Sequence, residues 1–226
     1  MTVLLVVAKA PVAGAVKTRL CPPATPAQAA RIAAAALRDT LDAVRATPGV
    51  TPVLAWTGRL TEAEDAAALT AALAGWVVLD QRGVGLGDRL ANAYAEVAAA
   101  YPGRPVLQIG MDTPQVTPTG LAAAVVRLGA TDAVLGQARD GGWWSLGLRD
   151  PRHARVLRDV PMSTPSTGHD TWAALTGRGL RTVPLPVLRD VDEWSDALAV
   201  AVEAPEGRFA RQVAAVRLAL QPGGRR

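Results

Sequence analysis

The sequence predicts an α/β fold in which helices cover both faces of a mostly parallel sheet, a three-layer αβα arrangement. Two observations lead to this prediction: short apolar runs of strand length recur along the chain, and longer alanine-rich stretches separate them. Such alternation is typical of parallel strands joined by crossover helices. The chain has 226 residues. That is the length of one large α/β domain, so we expect a single domain over residues 1–226.

The predicted elements follow this alternation in order. A buried strand is expected at Val3 to Ala8, and a helix at Pro26 to Arg45 with Thr25 as its N-cap. Further strands are predicted at Pro52 to Trp56, Trp76 to Leu79, Val106 to Ile109, Ala133 to Leu135, Gly141 to Leu148 and Thr182 to Leu188. Further helices are predicted at Thr61 to Ala74, Asp88 to Ala100, Glu193 to Ala201 and Glu206 to Leu220, the last with an apolar stripe of Phe209, Val213, Val216 and Leu220.

Composition excludes several classes of protein. The single cysteine, Cys21, excludes an internal disulfide framework. No apolar stretch reaches the roughly 18 residues of a membrane span, and the N-terminus lacks the pattern of a signal peptide, so we expect a cytoplasmic protein without a membrane partner. The net charge is +4, but the arginines are scattered and have no aromatic ladder beside them. This pattern argues against nucleic acid and favours a small anionic substrate.

The chain's two lysines lie in one short stretch, at the end of the first strand and in the loop after it, whereas the other residues that are cationic at neutral pH are all arginine. Lys9 ends the strand, and Gly14, Lys17 and Arg19 follow it. Glycine permits a turn whose amides face an anion, and two cations beside that turn suit phosphate oxygens. The spacing is neither that of a P-loop nor G-x-G-x-x-G. The structural alternative is a turn with solvated cations.

Carboxylates follow two of the predicted strands. Asp112, in Gly110-Met111-Asp112-Thr113-Pro114, comes directly after Val106 to Ile109, at the end where open α/β sheets bind ligands. Asp190 and Asp192 follow the run that ends at Leu188, and alternate positions of an extended chain share a face. All three are candidate ligands of a hard divalent cation. The alternatives are an Asx-turn at Asp112 and a helix N-cap at Asp192.

Three weaker patterns complete the candidate site. Asp140-Gly141-Gly142 lets a ligand approach the main chain beside Trp143 or Trp144, although a β-bulge explains the same glycines. The stretch from Gly85 to Arg89 opens a helix whose N-terminus suits a phosphate or the edge of a base, although an ordinary helix start explains it equally well. Ser163 and Thr164, in a predicted loop over Pro161 to Gly168, are possible hydroxyl donors to an acceptor phosphate.

Several ordered motifs together resemble a known family. They are Lys9-Ala10-Pro11 with Gly14 and Lys17-Thr18-Arg19-Leu20, then Asp39-Thr40, Leu86-Gly87-Asp88-Arg89, Gly110 to Pro114, Val134 to Gly142 and Asp190-Val191-Asp192. The chain is similar, from its first strand to about Asp196, to bacterial glycosyltransferase-A-type proteins, often named glycosyltransferase-like or radical-SAM/selenodomain-associated. That family is related to 2-phospholactate guanylyltransferase and molybdenum-cofactor guanylyltransferase. Departures at Met111, Trp143, Trp144 and Met162 affect the acceptor side of the resemblance.

The resemblance implies a glycosyltransferase-A fold with a nucleotide in its N-terminal half, and an acceptor side and metal at about residues 137–196. It implies Mg²⁺ or Mn²⁺ bound by Asp112, Asp190 and Asp192, with Lys17, Arg19 and Asp112 as the catalytic set. Nucleotide binding is expected at Ala8, Lys9, Gly14, Lys17, Arg19, Gly87 and Arg89, and acceptor binding at Asp140, Gly141, Gly142, Ser163 and Thr164.

Two chemistries are compatible with this resemblance. A glycosyltransferase generally has Asp-x-Asp at the central strand, but Gly110 stands two residues before Asp112 here. A glycine turn with two cations suits a triphosphate and leaving pyrophosphate. We therefore expect nucleotidyl transfer from a nucleoside triphosphate to a small phosphate- or phosphonate-bearing acceptor. The alternatives are glycosyl transfer from a nucleotide sugar and a non-catalytic nucleotide-binding module.

Overall fold

The computed structural model describes residues 1–220, which form a central sheet with helices on both faces. Its strands are β1 (Thr2–Lys9), β2 (Val50–Thr57), β3 (Val77–Asp80), β4 (Val106–Gly110), β5 (Ala133–Gln137), β6 (Trp143–Leu148) and β7 (Thr182–Pro184). Its α-helices are α1 (Pro26–Ala46), α2 (Ala66–Ala72), α3 (Gly85–Ala100), α4 (Pro118–Gly129), α5 (Thr167–Thr176), α6 (Trp194–Glu203) and α7 (Arg208–Ala219). Short 3-10 helices occur at Thr18–Leu20, Leu60–Glu62 and Pro151–Arg158.

The strand order is β3-β2-β1-β4-β6-β5-β7. All neighbouring pairs are parallel except those of β6, which is antiparallel to both β4 and β5. The predicted α/β class with a mostly parallel sheet is confirmed. Because β1 and β4 lie side by side at the centre, the loops after both strands open at the same edge of the sheet, where open α/β folds bind ligands.

Three apolar clusters hold the layers together. One contains Leu4 and Val6 of β1 and packs against α1 and α4, whereas a second contains Val3 and Leu5 and packs against α3 and the 3-10 helix Pro151–Arg158. This alternation along β1 is what a strand buried on both faces requires. A third cluster joins α1 to α6 and α7.

The helix boundaries differ from the sequence predictions where local chemistry intervenes. Thr25 caps α1 as predicted, in a capping box with Gln28. The helix predicted over Thr61 to Ala74 is divided into a 3-10 turn and the short α2. Strand β7 ends at Pro184 rather than Leu188, because prolines at 184 and 186 supply no N–H to a ladder.

The acidic motif residue Asp39 has a structural role in α1. Its carboxylate accepts a hydrogen bond from the Phe209 backbone N at 2.8 Å and pairs with Arg208 at 3.1 Å. The side chain therefore holds the first turn of α7 against α1, where exposed helix amides need acceptors. Of the stripe predicted on α7, Phe209 is buried, whereas Leu220 is half exposed. No helix within residues 1–220 has the length and apolarity needed to cross a membrane.

Candidate active site

A cavity of about 520 Å³ opens where the loops after β1 and β4 meet the segment around Asp190. Its ionisable lining residues all come from loops beyond the strand ends, and we call them the rim: Arg19, Asp112, Asp140, Asp190 and Asp192. Its floor comes from the sheet and from α3 with a neighbouring loop: Val7, Leu86, Leu90, Gln108, Gly110, Trp143 and Met162. The rim thus carries four carboxylates and one guanidinium.

Lys17 connects the first loop to the acidic side of the rim. Its Nζ lies 2.6 Å from Asp112 Oδ1 and also donates a hydrogen bond to the Val191 carbonyl oxygen. The Lys17 side chain is only 10% exposed, and its backbone is left-handed with φ 50°. Strained backbone of this kind commonly occurs at functional sites. The structure therefore gives Lys17 a positioning role on Asp112, whereas direct contact with a phosphate stays a prediction.

Arg19 is the cation of the first loop that lines the cavity. Its guanidinium pairs with the Asp192 carboxylate, and its side chain is 69% exposed. Asp192 does not cap α6. Glu193 occupies the N-cap and forms a capping box with Asp196. An exposed ion pair of this type contributes little to stability, so Arg19 can exchange its carboxylate partner for an anionic ligand at small cost.

Ala8, Lys9 and Gly14, the other nucleotide-binding candidates of this region, do not line the cavity. Lys9 Nζ donates to the Ala15 carbonyl oxygen at 2.8 Å, which closes the turn around Gly14. Gly14 has φ 76°, and a Cβ built there meets no atom within 4 Å. The Ala8 carbonyl oxygen accepts a hydrogen bond from Gln81 Nε2 at 2.8 Å, a contact that the sequence did not indicate. A ligand contact at Lys9, Gly14 or Ala8 stays a prediction.

Asp190 is the acidic group whose pKa responds most clearly to this arrangement. Its pKa is raised to about 6, first by burial and then by the charge of Asp140, with a small addition from Asp112, whereas a backbone hydrogen bond and the charge of Lys17 act in the opposite direction. The charges of Asp140 and Asp112 thus disfavour ionisation of Asp190, whose carboxylate is partly buried. A cation among them would favour the charged form.

The rim carries the three carboxylates of the predicted metal site. Within residues 1–220, no three His, Cys, Asp or Glu side chains converge closely enough to hold a metal ion. Asp112, Asp190 and Asp192 all line the cavity, but Asp112 is paired with Lys17 and Asp192 with Arg19, so metal binding by the three carboxylates stays a prediction. Asp112 and Asp190 are close enough for their charges to interact, and they form an oxygen-donor pair. Such a pair fits Mg²⁺, which commonly uses one or two carboxylates together with substrate phosphates and water.

The Asp140 turn is packed rather than open. Asp140 Oδ1 accepts from the Gly142 backbone N at 2.8 Å, which makes an Asx-turn. Gly141 has φ 91°, and a Cβ built there lies 1.9 Å from the Pro165 carbonyl oxygen. The Gly168 amide donates to the Gly141 carbonyl at 2.8 Å. Close backbone packing therefore explains Gly141, which does not line the cavity, whereas Asp140 and Gly142 do.

The predicted hydroxyl donors lie on the cavity wall. Ser163 and Thr164 both line it, and Ser163 has φ 59°. The Thr164 hydroxyl lies 3.1 Å from Ser166 Oγ and 3.2 Å from Thr167 Oγ1, so it belongs to a local hydroxyl network at the start of α5. Their binding of an acceptor stays a prediction.

The helix start at Gly85 to Arg89 contributes differently from the prediction. A Cβ on Gly87 would lie 2.3 Å from the Leu157 carbonyl oxygen, so this glycine allows α3 to pack on the 3-10 helix Pro151–Arg158. Arg89 Nε donates to the Gly85 carbonyl at 3.1 Å. Neither Gly87 nor Arg89 lines the cavity, whereas Leu86 does. Nucleotide binding by Arg89 stays a prediction.

Several buried side-chain polar atoms have no hydrogen-bond partner, and two of the residues concerned, Gln108 and Trp143, line the cavity. Within residues 1–220 these atoms are Gln108 Oε1, Thr113 Oγ1, Gln115 Oε1, Trp143 Nε1 and Arg189 Nε. All lie on β4 and the loop after it, on the first residue of β6, or beside Asp190. Unpartnered buried polar groups are rare and call for an explanation. Sequence reasoning missed Gln108, although a polar residue within an apolar central strand is a detectable signal.

The fold is similar to those of several solved structures. A candidate nucleotide-diphospho-sugar transferase from Desulfovibrio desulfuricans G20 has a TM-score of 0.82 at 23% identity, over 96% of this chain and 95% of that chain. Rv0371c from Mycobacterium tuberculosis H37Rv has a TM-score of 0.54 at 22% identity, over 88% and 97% of the two chains. A second structure of Rv0371c is a complex with manganese, with a TM-score of 0.51.

A structure of CMP:2-keto-3-deoxy-manno-octonic acid synthetase complexed with CTP has a TM-score of 0.55 at 13% identity, over 91% of this chain and 99% of that chain. None of the curated proteins is significantly similar to this chain in sequence. At these identities the solved structures establish the fold, which is that of nucleotide-diphospho-sugar transferases and cytidylyltransferases. The specific relation to guanylyltransferases stays a prediction.

The family is established from the sequence itself. The model of the family described as "uncharacterized protein conserved in bacteria" (DUF2064) matches residues 40–164, which is more than half of the chain. This match includes β4 and the Asp112 loop and ends at Thr164 on the cavity wall. The chain therefore belongs to the DUF2064 family.

Proposed function

We propose that the protein is a metal-dependent nucleotidyltransferase that transfers a nucleoside monophosphate from a nucleoside triphosphate to a small phosphate- or phosphonate-bearing acceptor. One observation carries the proposal: four carboxylates and one guanidinium form the rim of a single cavity at the ligand-binding edge of the sheet. Such a rim repels a bare polyphosphate. It suits a polyphosphate that arrives with a divalent cation.

Asp112 and Asp190 are the residues that would hold the cation. Their oxygen donors match Mg²⁺ or Mn²⁺, and phosphate oxygens and water would complete the coordination. A bound divalent cation supplies charge neutralisation on the phosphates. Rv0371c has been solved in complex with manganese, which supports the same class of ion here.

In the proposed reaction, an oxyanion of the acceptor attacks the α-phosphorus. The new oxygen–phosphorus bond forms as the bond between the α-phosphorus and the bridging oxygen breaks, and pyrophosphate leaves with that electron pair. A phosphate or phosphonate acceptor is already ionised near neutral pH, so no general base is required. Arg19 would orient the phosphates, and Lys17 would hold Asp112 and the Val191 segment in place.

The acceptor would occupy the side of the cavity formed by the second half of the chain. Asp140, Gly142, Ser163 and Thr164 line that side. The hydroxyl groups of Ser163 and Thr164 offer donors to a phosphate. Gly141 would act indirectly, by keeping the Asp140 turn against Pro165.

Glycosyl transfer from a nucleotide sugar is the second candidate, because the structure with a TM-score of 0.82 is named for that chemistry. The end of β4 carries one acid, Asp112, and a glycine, Gly110, stands two residues before it in place of a second acid. This arrangement favours the triphosphate. A comparison of affinities for triphosphates and for UDP- or GDP-sugars separates the two functions.

The direct test is a panel of four nucleoside triphosphates against small phosphates and phosphonates, with MgCl₂, read by pyrophosphate release. We expect at least one pair to release pyrophosphate, and the same pair to be inactive with Asp112→Asn. Release of free nucleoside diphosphate from a nucleotide sugar, without pyrophosphate from any triphosphate, would instead establish glycosyl transfer.

A further inference from the structure

The cavity floor contains two buried polar atoms of complementary type. Gln108 Oε1 is a hydrogen-bond acceptor and Trp143 Nε1 is a donor, and neither has a partner within residues 1–220. Gln108 is 3% exposed. The floor around them is otherwise apolar, with Val7, Leu90 and Met162 among its residues. An acceptor and a donor left unpaired in one apolar pocket suit a ligand that satisfies both.

A bulge in the sheet places both side chains on the same face. Gly136 pairs with Ser145 and Gln137 pairs with Trp143, so the pairing of β5 with β6 skips Trp144. As a result Trp144 packs in the cluster below α4, whereas Trp143 packs in the cluster that faces α3. Gln108 projects to this second face as well, because Val106 of the same strand lies there. Bulges beside active sites commonly redirect a side chain in this way.

Gly110 leaves the path from the rim to this floor open. It follows Gln108 on the same face of β4 and lies opposite Val7 of β1. A Cβ built on Gly110 meets only the Asp112 backbone N, at 3.9 Å. Gln108, Gly110 and Asp112 all line the same cavity, so the amide below and the acidic rim border one continuous space. One ligand can therefore contact both.

We propose that Gln108 and Trp143 select the acceptor by a neutral hydroxyl group on its organic body. The hydroxyl would donate to Gln108 Oε1 and accept from Trp143 Nε1, while the acceptor's phosphate or phosphonate stays at the rim. A hydroxyl can make both contacts at once. A charged ammonium or carboxylate is disfavoured there, because the floor offers no counter-charge. This inference rests on the proposed function, since it assigns the floor to the acceptor.

The test compares two probes that differ by one group: ethyl phosphate and 2-hydroxyethyl phosphate, titrated by calorimetry with MgCl₂. We expect the hydroxyl ester to bind about 10-fold more tightly to the wild type, which is the effect of one net hydrogen bond. In Gln108→Met the ratio should fall to about 1, and in Trp143→Phe it should also fall. Gln212→Met, on α7, is the matched control and should keep the wild-type ratio.

Two further measurements locate the effect. The hydroxyl ester should shift the indole ¹⁵N–¹H signal of Trp143, which Trp143→Phe identifies among the six tryptophans. Gln108→Met should unfold at the same or a higher urea concentration than the wild type, because it removes an unpartnered buried amide. A lower midpoint would show that the fold needs the amide and would overturn the proposal.

Equal affinities for the two esters in the wild type would also overturn it, as would an undiminished preference in Gln108→Met or no shift of the Trp143 indole. The pyrophosphate assay is run separately on the same protein. A hydroxyl preference without pyrophosphate release from any pair would count against nucleotidyl transfer and would leave the selectivity of the floor standing.

Discussion

Two glycine turns of the candidate site look alike in sequence and differ in their surroundings. Gly14 and Gly141 both have positive φ, at 76° and 91°, and both lie near a charged residue. Around Gly14 the space is open, whereas Gly141 packs directly on the Pro165 backbone. The first turn has room for a ligand, and the second maintains the fold. A glycine next to a charge is therefore a poor guide to binding until its neighbours are known.

The largest expected effect tests the packed turn. Gly141→Ala places a Cβ 1.9 Å from a backbone oxygen and also strains a positive φ. The added Cβ is fixed to the backbone and would meet the Pro165 backbone, so a side-chain movement cannot relieve the clash. We expect a loss of about 4 kcal/mol or more in the free energy of unfolding. Urea denaturation measures it. A Gly141→Ala variant as stable as the wild type would show that the Gly141 turn is not packed more tightly than the Gly14 turn.

The next effect tests whether Lys17 supports Asp112 in the candidate site. Lys17→Met keeps the aliphatic chain but removes the ion pair with Asp112. We expect turnover to fall by about 100-fold or more, and the Mg²⁺ concentration for half-maximal rate to rise, because Asp112 loses its support. Steady-state kinetics over a magnesium series measures both.

Arg59→Met is the matched control for Lys17→Met. Arg59 forms an ion pair of similar length with Glu62 at 2.7 Å, but its side chain is 79% exposed and lies outside the cavity. We expect wild-type kinetics from it. If the two variants had the same turnover and magnesium requirement, Lys17 would have no role in the site.

A smaller effect tests the open turn. Gly14→Ala strains a positive φ but meets no atom, so we expect a loss of about 1 kcal/mol in the free energy of unfolding. The loss should be several-fold smaller than that of Gly141→Ala. Urea denaturation of the two variants under one set of conditions gives the comparison, and equal losses would contradict it.

An effect of similar size, which depends on pH, concerns Asp190. Its folded pKa of about 6 lies above that of an unfolded aspartate. The fold favours the neutral form of Asp190. This group therefore stabilises the folded protein at about pH 4 and below, and the stabilisation is lost as pH rises through about 6. Asp190→Asn should match the wild type at acid pH and exceed it above pH 6, by about 1 kcal/mol after allowance for screening of a partly exposed group.

The Asp190→Asn measurement requires EDTA, because a bound cation would stabilise the charged carboxylate. Unfolding free energies at several pH values between about 4 and 8 then give the profile of each protein. A difference that is constant across this range would show that Asp190 is ordinary in its ionisation and would weaken the case for a crowded acidic rim.

The fold was predictable because its strands are apolar runs with clear boundaries. Val3 to Ala8 and Val106 to Ile109 lie within β1 and β4. The antiparallel direction of β6 was not predictable, since it depends on how the chain returns after β5. Helix α4, over Pro118–Gly129, and α5, over Thr167–Thr176, were missed. Their starts lie among proline, threonine and serine residues, which also occur in loops.

The sequence predicted which residues lie at the candidate site better than it predicted what each of them contacts. Arg19, Asp112, Asp140, Asp190 and Asp192 all reach one cavity, because residues that follow neighbouring strands meet at one edge of a sheet. Their pairing was not predictable. That Lys17 lies on Asp112 and Arg19 on Asp192 depends on the course of loops more than 90 residues apart. The unpartnered amide of Gln108 could be found only from the structure, because its lack of a hydrogen-bond partner depends on how the side chains pack.

The central claim is that this acidic rim takes a nucleoside triphosphate only together with a divalent cation. Calorimetric titration of the wild type with each triphosphate, in MgCl₂ and then in EDTA, tests it most directly. We expect binding of at least one triphosphate with magnesium, loss of that binding in EDTA, and loss of it in Asp112→Asn. Triphosphate binding of equal affinity in EDTA would show that the rim does not require a cation.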